Sequence, residues 1–118
     1  MLQKKYRLKK YSAFIATYRN NNTVSDKNIC IYFGREKTNK EIPTKFAFVV
    51  SKKVHKRAVV RNRIKRLMRE NVRNIIKNNE YLYINNYMSV IIAGKTSAID
   101  ASYNEIKASF DNLLNQNR

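Results

Sequence analysis

The sequence predicts an α+β domain, a small α/β sandwich in which three helices cover a sheet of about four strands, in the order α-β-β-β-α-β-α. Three observations predict it. The 118 residues suffice for one hydrophobic core but not for two. Three stretches carry apolar residues at helical spacing, and the runs between them are short and rich in β-branched or aromatic residues. Two glycines and one proline leave little room for linkers, so we expect residues 1–118 to form one domain with flexible ends.

The first predicted helix follows a basic segment, since residues 1–19 contain six Lys or Arg and no acid. Ser12 is its candidate N-cap. The larger side chains recur at positions i, i+3, i+4 and i+7, namely Tyr11, Phe14, Ile15 and Tyr18. Two interpretations are equally compatible with this spacing. All four residues belong to the core, or some of them stack on nucleic-acid bases, as aromatic residues in basic segments can.

Three strands are predicted before the central helix. The Asn-rich residues 20–28 form a turn with a short strand near Val24. The run from Ile29 to Phe33 reads as a strand that ends at Gly34. Residues 35–43 form an exposed connection, and residues 45–50 are apolar almost throughout, so we expect this third strand to be central in the sheet.

The longest helix is predicted from about residue 58 to residue 78, after a basic loop at 51–57. At 100° per residue, one arc of this helix is apolar and the opposite arc is basic. The apolar arc consists of Val60, Ile64, Leu67, Met68 and Ile75. The basic arc consists of Asn62, Lys65, Arg66, Arg69 and Arg73. We expect the helix to end at Asn78, Asn79 and Glu80.

The remaining elements are a strand and a helix. The strand runs through residues 88–93 and is broken by Gly94, while residues 81–84 fit either a strand or an extension of the preceding helix. Ser102 and Glu105 have the spacing of a capping box at the start of the last helix. The face of that helix which should pack on the sheet carries Tyr103, Ile106, Phe110, Leu113 and Leu114.

The charge distribution indicates a polyanionic partner. Residues 51–77 contain eleven Lys or Arg against one acid, Glu70, and the whole chain has 25 basic and 8 acidic residues, a net charge of +17. A solvated helix face normally mixes signs, because like charges one turn apart repel by a few tenths of a kcal/mol per pair. This face does not mix signs, and nucleic acid is therefore the expected partner. We also expect sulfate, phosphate or RNA to raise the melting temperature.

The sequence lacks the residue patterns of several kinds of catalytic and metal-binding sites. The eight carboxylates are dispersed, with no DxD or ExxH cluster, and the sequence has no Walker loop, no GxSxG motif and no Cys/His pair that could make a nucleophile and base. Cys30 is expected to be a small buried residue of a strand, and His55 a loop residue or phosphate contact. No apolar run has the length of a membrane span, and the N-terminus has no signal-type segment. We therefore expect a cytoplasmic protein with no catalytic residue and no metal site of its own.

The central motif resembles a known family. Lys52-Lys53, Ala58, the run Arg61-Asn62-Arg63-Ile64-Lys65-Arg66 and Arg69-Glu70 resemble the arginine-rich RNR signature of the bacterial ribonuclease P protein subunit. The basic entry before Phe14, the strand leading into Ser51 and the strand before the last helix resemble the family in order and spacing, so that the resemblance covers essentially the whole chain. It implies a ribonucleoprotein that removes the 5′ leader from precursor tRNA. The RNA subunit would hold the catalytic Mg²⁺, and the polypeptide alone would be inactive.

The resemblance also implies two sets of binding residues. The set facing the catalytic RNA would be Lys52, Lys53, Lys56, Arg57, Arg61, Asn62, Arg63, Lys65, Arg66, Arg69 and Arg73. A cleft between the first helix and the sheet would hold the single-stranded leader with Phe14, Tyr18, Tyr32 and Lys10. The family further implies a left-handed crossover around the RNR helix, against the usual right-handed rule, and one protein per RNA.

Two departures from the family pattern and one alternative function remain. The loop Val54-His55-Lys56-Arg57 lacks the glycine found in many members, which leaves its backbone path open. Gly94-Lys95 replaces a common Ala-Arg pair, so that Lys95 either keeps or loses a phosphate contact there. The alternative function is that of a structural RNA-binding protein, such as a ribosomal protein, and no membrane partner is expected.

Overall fold

The computed structural model of the protein describes residues 2–116. Its helices are α1 (Tyr11–Arg19), α2 (Ala58–Lys77) and α3 (Tyr103–Gln116). Its strands are β1 (Asn22–Ser25), β2 (Ile29–Phe33), β3 (Lys45–Val49) and β4 (Ser89–Gly94). Short 3₁₀ turns occur at Lys4–Tyr6, Leu82–Asn86 and Thr96–Asp100. The predicted α+β class and the order α-β-β-β-α-β-α are confirmed.

The four strands form one mixed sheet in the order β1-β2-β4-β3. The pairs β1–β2 and β2–β4 are antiparallel, and β3–β4 is parallel with α2 as the crossover. The expectation that the third strand is central was wrong, since β3 lies at an edge of the sheet. Its apolar side chains are nevertheless buried on the faces of the sheet, since Phe46 belongs to the core, Phe48 packs against the core and Ala47 is buried. The edge itself is covered by the N-terminal segment, where the Leu8 N–H donates to the Phe46 carbonyl at 2.8 Å.

The hydrophobic core lies on one face of the sheet, under α2 and α3. From α2 it contains Ile64, Met68, Val72 and Ile75, so the predicted apolar arc is buried along its centre, while Val60 and Leu67 are half-buried at its border. The predicted face of α3 supplies Ile106, Phe110, Leu113 and Leu114. Gly94 permits the close approach of α2, because a Cβ added there would lie 2.7 Å from Ile64 Cγ2 and 3.0 Å from Val50 Cγ2.

Helix α1 lies on the opposite face of the sheet and is seated by small side chains. Thr17 is its buried residue, and its hydroxyl is 2.5 Å from the hydroxyl of Ser89 on β4. The proposed N-cap was wrong: Lys10 occupies that position, no side chain caps the helix, and Ser12 lies exposed in the first turn. Because both side chains are small, α1 and β4 approach each other closely at this contact.

The C-terminal end of α2 and the start of α3 lie where the sequence predicts them. After Lys77 the chain turns with Asn79 at φ 54°, and the Glu80 and Asn79 N–H groups donate to the carbonyls of Ile75 and Ile76. Tyr81 is also left-handed, at φ 50°, so residues 81–84 continue neither as strand nor as α-helix but enter a 3₁₀ turn. The Ser102 capping box is confirmed, since Ser102 and Glu105 exchange bonds of 3.1 and 3.2 Å.

Candidate nucleic-acid interface

The exposed side of α2 and the loop before it form a surface of one sign, which we call the α2 basic surface. Because the apolar arc of α2 is buried, the opposite, basic arc of the helix faces solvent. Its members are Lys52, Lys53, Lys56, Arg57, Arg61, Asn62, Arg63, Lys65, Arg66, Arg69 and Arg73, each at least partly exposed. Within residues 2–116 one carboxylate pairs with this surface, Glu70, whose contact with Arg73 is 3.4 Å long and solvent-exposed. Such a pair stabilises little and leaves the surface strongly positive.

Two arginines of the motif also hold the protein together. The Arg61 guanidinium donates to the carbonyl oxygens of His55 at 3.0 Å and Lys56 at 2.8 Å. The Arg63 guanidinium donates to the carbonyls of Ile99 and Ala101, both at 3.1 Å. These bonds were not predictable from the motif, because their acceptors are backbone carbonyls, which every residue has. Arg61 thereby fixes the basic loop, and Arg63 fixes α2 against the segment that leads into α3.

The glycine-free loop has a defined path. The Val54 N–H donates to the Ser51 carbonyl at 3.1 Å, which closes a turn. The His55 ring accepts a hydrogen bond at Nδ1 from the Arg57 N–H, also at 3.1 Å. His55 is therefore a loop residue, one of its two expected roles, and its ring orients the chain just before α2.

Arg66 and Arg69 differ in their surroundings. Arg66 is exposed, whereas Arg69 is half-buried with its guanidinium carbon 6.0 Å from the centre of the Phe48 ring. A guanidinium over an aromatic face is held by the ring's negative charge density, which orients it without neutralising it. In the described chain neither arginine faces a buried acid.

A second candidate surface lies where α1 meets β2, and we call it the aromatic cleft. The rings of Tyr18 and Tyr32 meet edge to face with centroids 4.8 Å apart. Tyr18 is 41% exposed and Tyr11 79%, while Phe14 and Ile15 are half-buried. The interpretation of all four α1 residues as core is thus wrong, and aromatic area remains accessible beside the sheet.

The two tyrosines of the cleft stay uncharged. A hydrogen bond with Cys30, together with burial, raises the pKa of Tyr32 to about 12, and burial is the main cause that raises the pKa of Tyr18. Neither phenol therefore presents a negative charge to an anionic ligand at neutral pH. Cys30 was expected to be buried, but it is half-buried, because it alternates with Ile29 and Ile31 and so faces the cleft side of the sheet.

Lys10 and Lys95, the two lysines discussed outside the central motif, lie apart from the aromatic cleft and make different contacts. Lys10 lines a groove on the other flank of α1, together with Ala13 and Thr17 and without Tyr18 or Tyr32. The Lys95 ammonium donates to the Asp26 carbonyl at 2.8 Å. Lys95 thus holds the turn between β1 and β2.

The described residues offer little for a metal ion and nothing for a membrane span. Across residues 2–116, no group of three or more His, Cys, Asp or Glu side chains is arranged to hold a metal. In the same part of the chain, no helix combines the length and the apolarity that crossing a bilayer requires.

Comparison with known proteins agrees with the fold and the motif. The family model "Ribonuclease P" matches residues 2–118. The ribonuclease P protein component of Clostridium kluyveri is 34% identical over 109 residues, which cover 92% of this chain and 91% of the relative. That of Staphylococcus carnosus is 34% identical over 113 residues, covering 96% and 90%. The solved structure of the Staphylococcus aureus RNase P protein superposes with a TM-score of 0.72 at 29% identity, covering 94% of each chain.

Proposed function

This chain belongs to the ribonuclease P protein family and is the protein component of that endoribonuclease, and from this premise we propose how its surfaces work. We propose that the α2 basic surface binds the catalytic RNA and that the aromatic cleft binds the 5′ leader of precursor tRNA. The complex then removes the leader to give the mature 5′ end of the tRNA. It does so in the cytoplasm, with one protein per RNA.

One observation carries the proposal for the RNA subunit, which is the partner that family membership implies. The α2 basic surface runs along the helix from Arg61 to Arg73, and Glu70 is the acid that pairs with it in the described chain. Each phosphate bound by a Lys or Arg releases counterions, so binding is favourable at low salt and weakens as salt rises. Arginine also suits this role because its planar fork can hold two phosphate oxygens at once.

The arrangement of the cleft supports leader binding. Single-stranded RNA exposes its bases, and aromatic side chains bind such bases with about 1–3 kcal/mol each, with little regard for sequence. The exposed Tyr18 and the half-buried Tyr32, with Phe14 one turn earlier on α1, offer such a platform. The uncharged phenols suit an anionic strand. Lys10 lies on the other flank of α1, so its position supports an RNA contact there and not in the aromatic cleft.

Our proposal assigns the chemistry of cleavage to the RNA subunit, which would hold the catalytic Mg²⁺. The protein's residues would bind phosphates, orient the leader and fix the two RNAs relative to one another. The gain for the holoenzyme is then a lower requirement for Mg²⁺, because protein cations replace part of the ionic atmosphere that two RNAs need to approach each other.

Reconstitution tests this function against that of a purely structural RNA-binding protein. The protein is added to a bacterial ribonuclease P RNA at low Mg²⁺, and cleavage of precursor tRNA is followed. We expect faster cleavage and a lower Mg²⁺ requirement than with the RNA alone. An unchanged rate and an unchanged Mg²⁺ requirement, with RNA binding intact, would support the structural alternative and contradict the proposal.

A further inference from the structure

A second groove lies on the flank of α1 that faces away from the aromatic cleft. Its volume is about 710 Å³, and its walls are the N-terminal segment, the start of α1 and the connection between β2 and β3. Thr17 and Ser89, which seat α1 on the sheet, lie among its lining residues, so the helix is a wall shared by groove and cleft. The α2 basic surface, by contrast, belongs to the opposite face of the sheet.

The groove is lined by cations of three separate segments. The N-terminal segment contributes Lys4, Arg7, Lys9 and Lys10. The connection contributes Arg35 and Lys37, and β3 contributes Lys45. No acid is among the lining residues, although Glu36 and Glu41 occur in the same connection. In residues 2–116, none of these seven side chains forms an ion pair.

Hydrogen bonds hold the walls of the groove in place, so the segments that carry the cations stay close together. The Leu8 N–H donates to Phe46, and the Lys45 ammonium donates to the Lys5 carbonyl at 3.3 Å. On the other side, the Lys37 N–H donates to the Asn86 carbonyl at 2.7 Å. Burial lowers the pKa of the Lys37 ammonium, and no carboxylate compensates for that burial. A bound anion would relieve this unfavourable arrangement.

We propose that this groove binds the phosphates of the leader upstream of the nucleotides held in the aromatic cleft, so that the strand passes over α1. The proposal rests on the proposed function. Its ligand is the sugar-phosphate backbone and not the bases, because none of the described residues that line the groove is aromatic. The leader is the RNA that fits, since groove and cleft share α1 on one face of the sheet. Longer leaders therefore bind more tightly, whatever their sequence.

The test uses the reconstituted holoenzyme and precursor tRNAs with leaders of about 4 and about 16 nucleotides, the limits of common single-strand site sizes. The groove variant is Lys9→Ala with Lys37→Ala. We expect it to bind the long leader more weakly and the short leader as the unsubstituted protein does. For two lost contacts, the slope of log affinity against log salt for the long leader falls in magnitude by about 1.4.

The matched control loses the same charge elsewhere, with Lys40→Ala, in the same connection but outside the groove, and Lys107→Ala on α3. We expect the control to keep the preference for long leaders. Equal losses for both leader lengths, accompanied by weaker binding of the RNA subunit alone, would overturn the proposal and assign the groove to the catalytic RNA. No loss for either leader would overturn it as well. Failure of the unsubstituted protein to stimulate cleavage would instead refute the proposed function.

Discussion

The guanidinium of Arg63 donates a hydrogen bond to the carbonyl oxygen of Ala101, 38 positions further along the chain, at 3.1 Å. A second bond of the same length goes to Ile99. A motif arginine that would be assigned to RNA thus also joins α2 to the segment before α3. Under our proposal that the α2 basic surface binds RNA, this side chain would serve both stability and RNA binding. Comparing it with the exposed Arg66 separates the two roles.

Replacing Arg63 with lysine should destabilise the protein. A lysine ammonium cannot bridge two carbonyls as the guanidinium fork does, and we expect the free energy of unfolding to fall by about 1 kcal/mol. Arg66→Lys, at an exposed position, should change it by less than about 0.5 kcal/mol. Urea denaturation of both variants gives the comparison. Equal stabilities would mean that the bonds of Arg63 contribute nothing.

The aromatic cleft should recognise the leader and not the tRNA body. Tyr18→Ala or Tyr32→Ala should weaken binding of precursor tRNA to the holoenzyme by about 1–3 kcal/mol, because each removes a ring on which a base can stack. Binding of mature tRNA, which has no leader, should not change. Phe14→Ala should behave in the same way.

Tyr11→Ala is the matched control for these substitutions. It removes a tyrosine from the same helix, but Tyr11 is 79% exposed and is not part of the Tyr18–Tyr32 pair. We expect both tRNAs to bind this variant normally. If Tyr18→Ala and Tyr32→Ala weakened precursor and mature tRNA equally, the rings would serve only the packing of the protein.

Acid should weaken the fold through Asp26. Burial alone would raise the pKa of this carboxyl, but hydrogen bonds from Ser109, Ile29 and Asn28 outweigh it and lower the pKa below the ordinary value of 3.8. The charged form is thus the one the fold stabilises. Its contribution is complete above pH 3.8 and is lost as the pH falls through the lower folded-state pKa.

Urea midpoints measured from pH 6 to pH 2 test the role of Asp26. Asp26→Asn keeps an oxygen acceptor for the N–H groups of Asn28 and Ile29 but has no charge to lose. We expect the variant to be less stable than the unsubstituted protein at pH 6 and to lose less stability below pH 4. Parallel curves for the two proteins would exclude Asp26 as a cause of acid sensitivity.

Gly94 should not tolerate a side chain. An added Cβ would lie 2.7 Å from Ile64 on α2, closer than real Cβ contacts come, and the buried neighbours can move only by disturbing the core. We expect Gly94→Ala to lower the free energy of unfolding by about 1–3 kcal/mol, as overpacking does. Thermal unfolding measures the change. An unchanged melting temperature would mean that α2 moves away from the sheet at little cost.

Periodicity predicted most of the fold. Apolar residues at helical or strand spacing lie on one face of their element, and that face is the one buried in the core. The arcs of α2 and α3, the strand of Ile29–Phe33 and the capping box of Ser102 all follow from local spacing. Spacing does not reveal which element packs against the apolar face of a helix, or how closely. In α1 the large side chains form the regular pattern, yet the residue buried against the sheet is the small Thr17, which contacts Ser89.

The exposure of the α2 cations was predictable, but the contacts that they and the other candidate residues make were not. The cations of α2 were apparent because charge of one sign needs no structure to be recognised. Backbone acceptors were invisible, so the bonds of Arg61 and Arg63 could not be expected. Lys10 precedes Phe14 by one turn, but it lines the opposite flank of α1, where residues distant in sequence complete the groove.

The most direct test of the account is the salt dependence of binding between the protein and ribonuclease P RNA. Removing two cations of the α2 basic surface, by Arg66→Ala with Arg69→Ala, should lower the magnitude of the slope of log affinity against log salt by about 1.4–1.8, at 0.7–0.9 per phosphate contact. Lys40→Ala with Lys107→Ala, with equal loss of charge, should leave the slope unchanged. Equal slopes for all three proteins would contradict the claim that the exposed side of α2 binds the phosphates of the catalytic RNA.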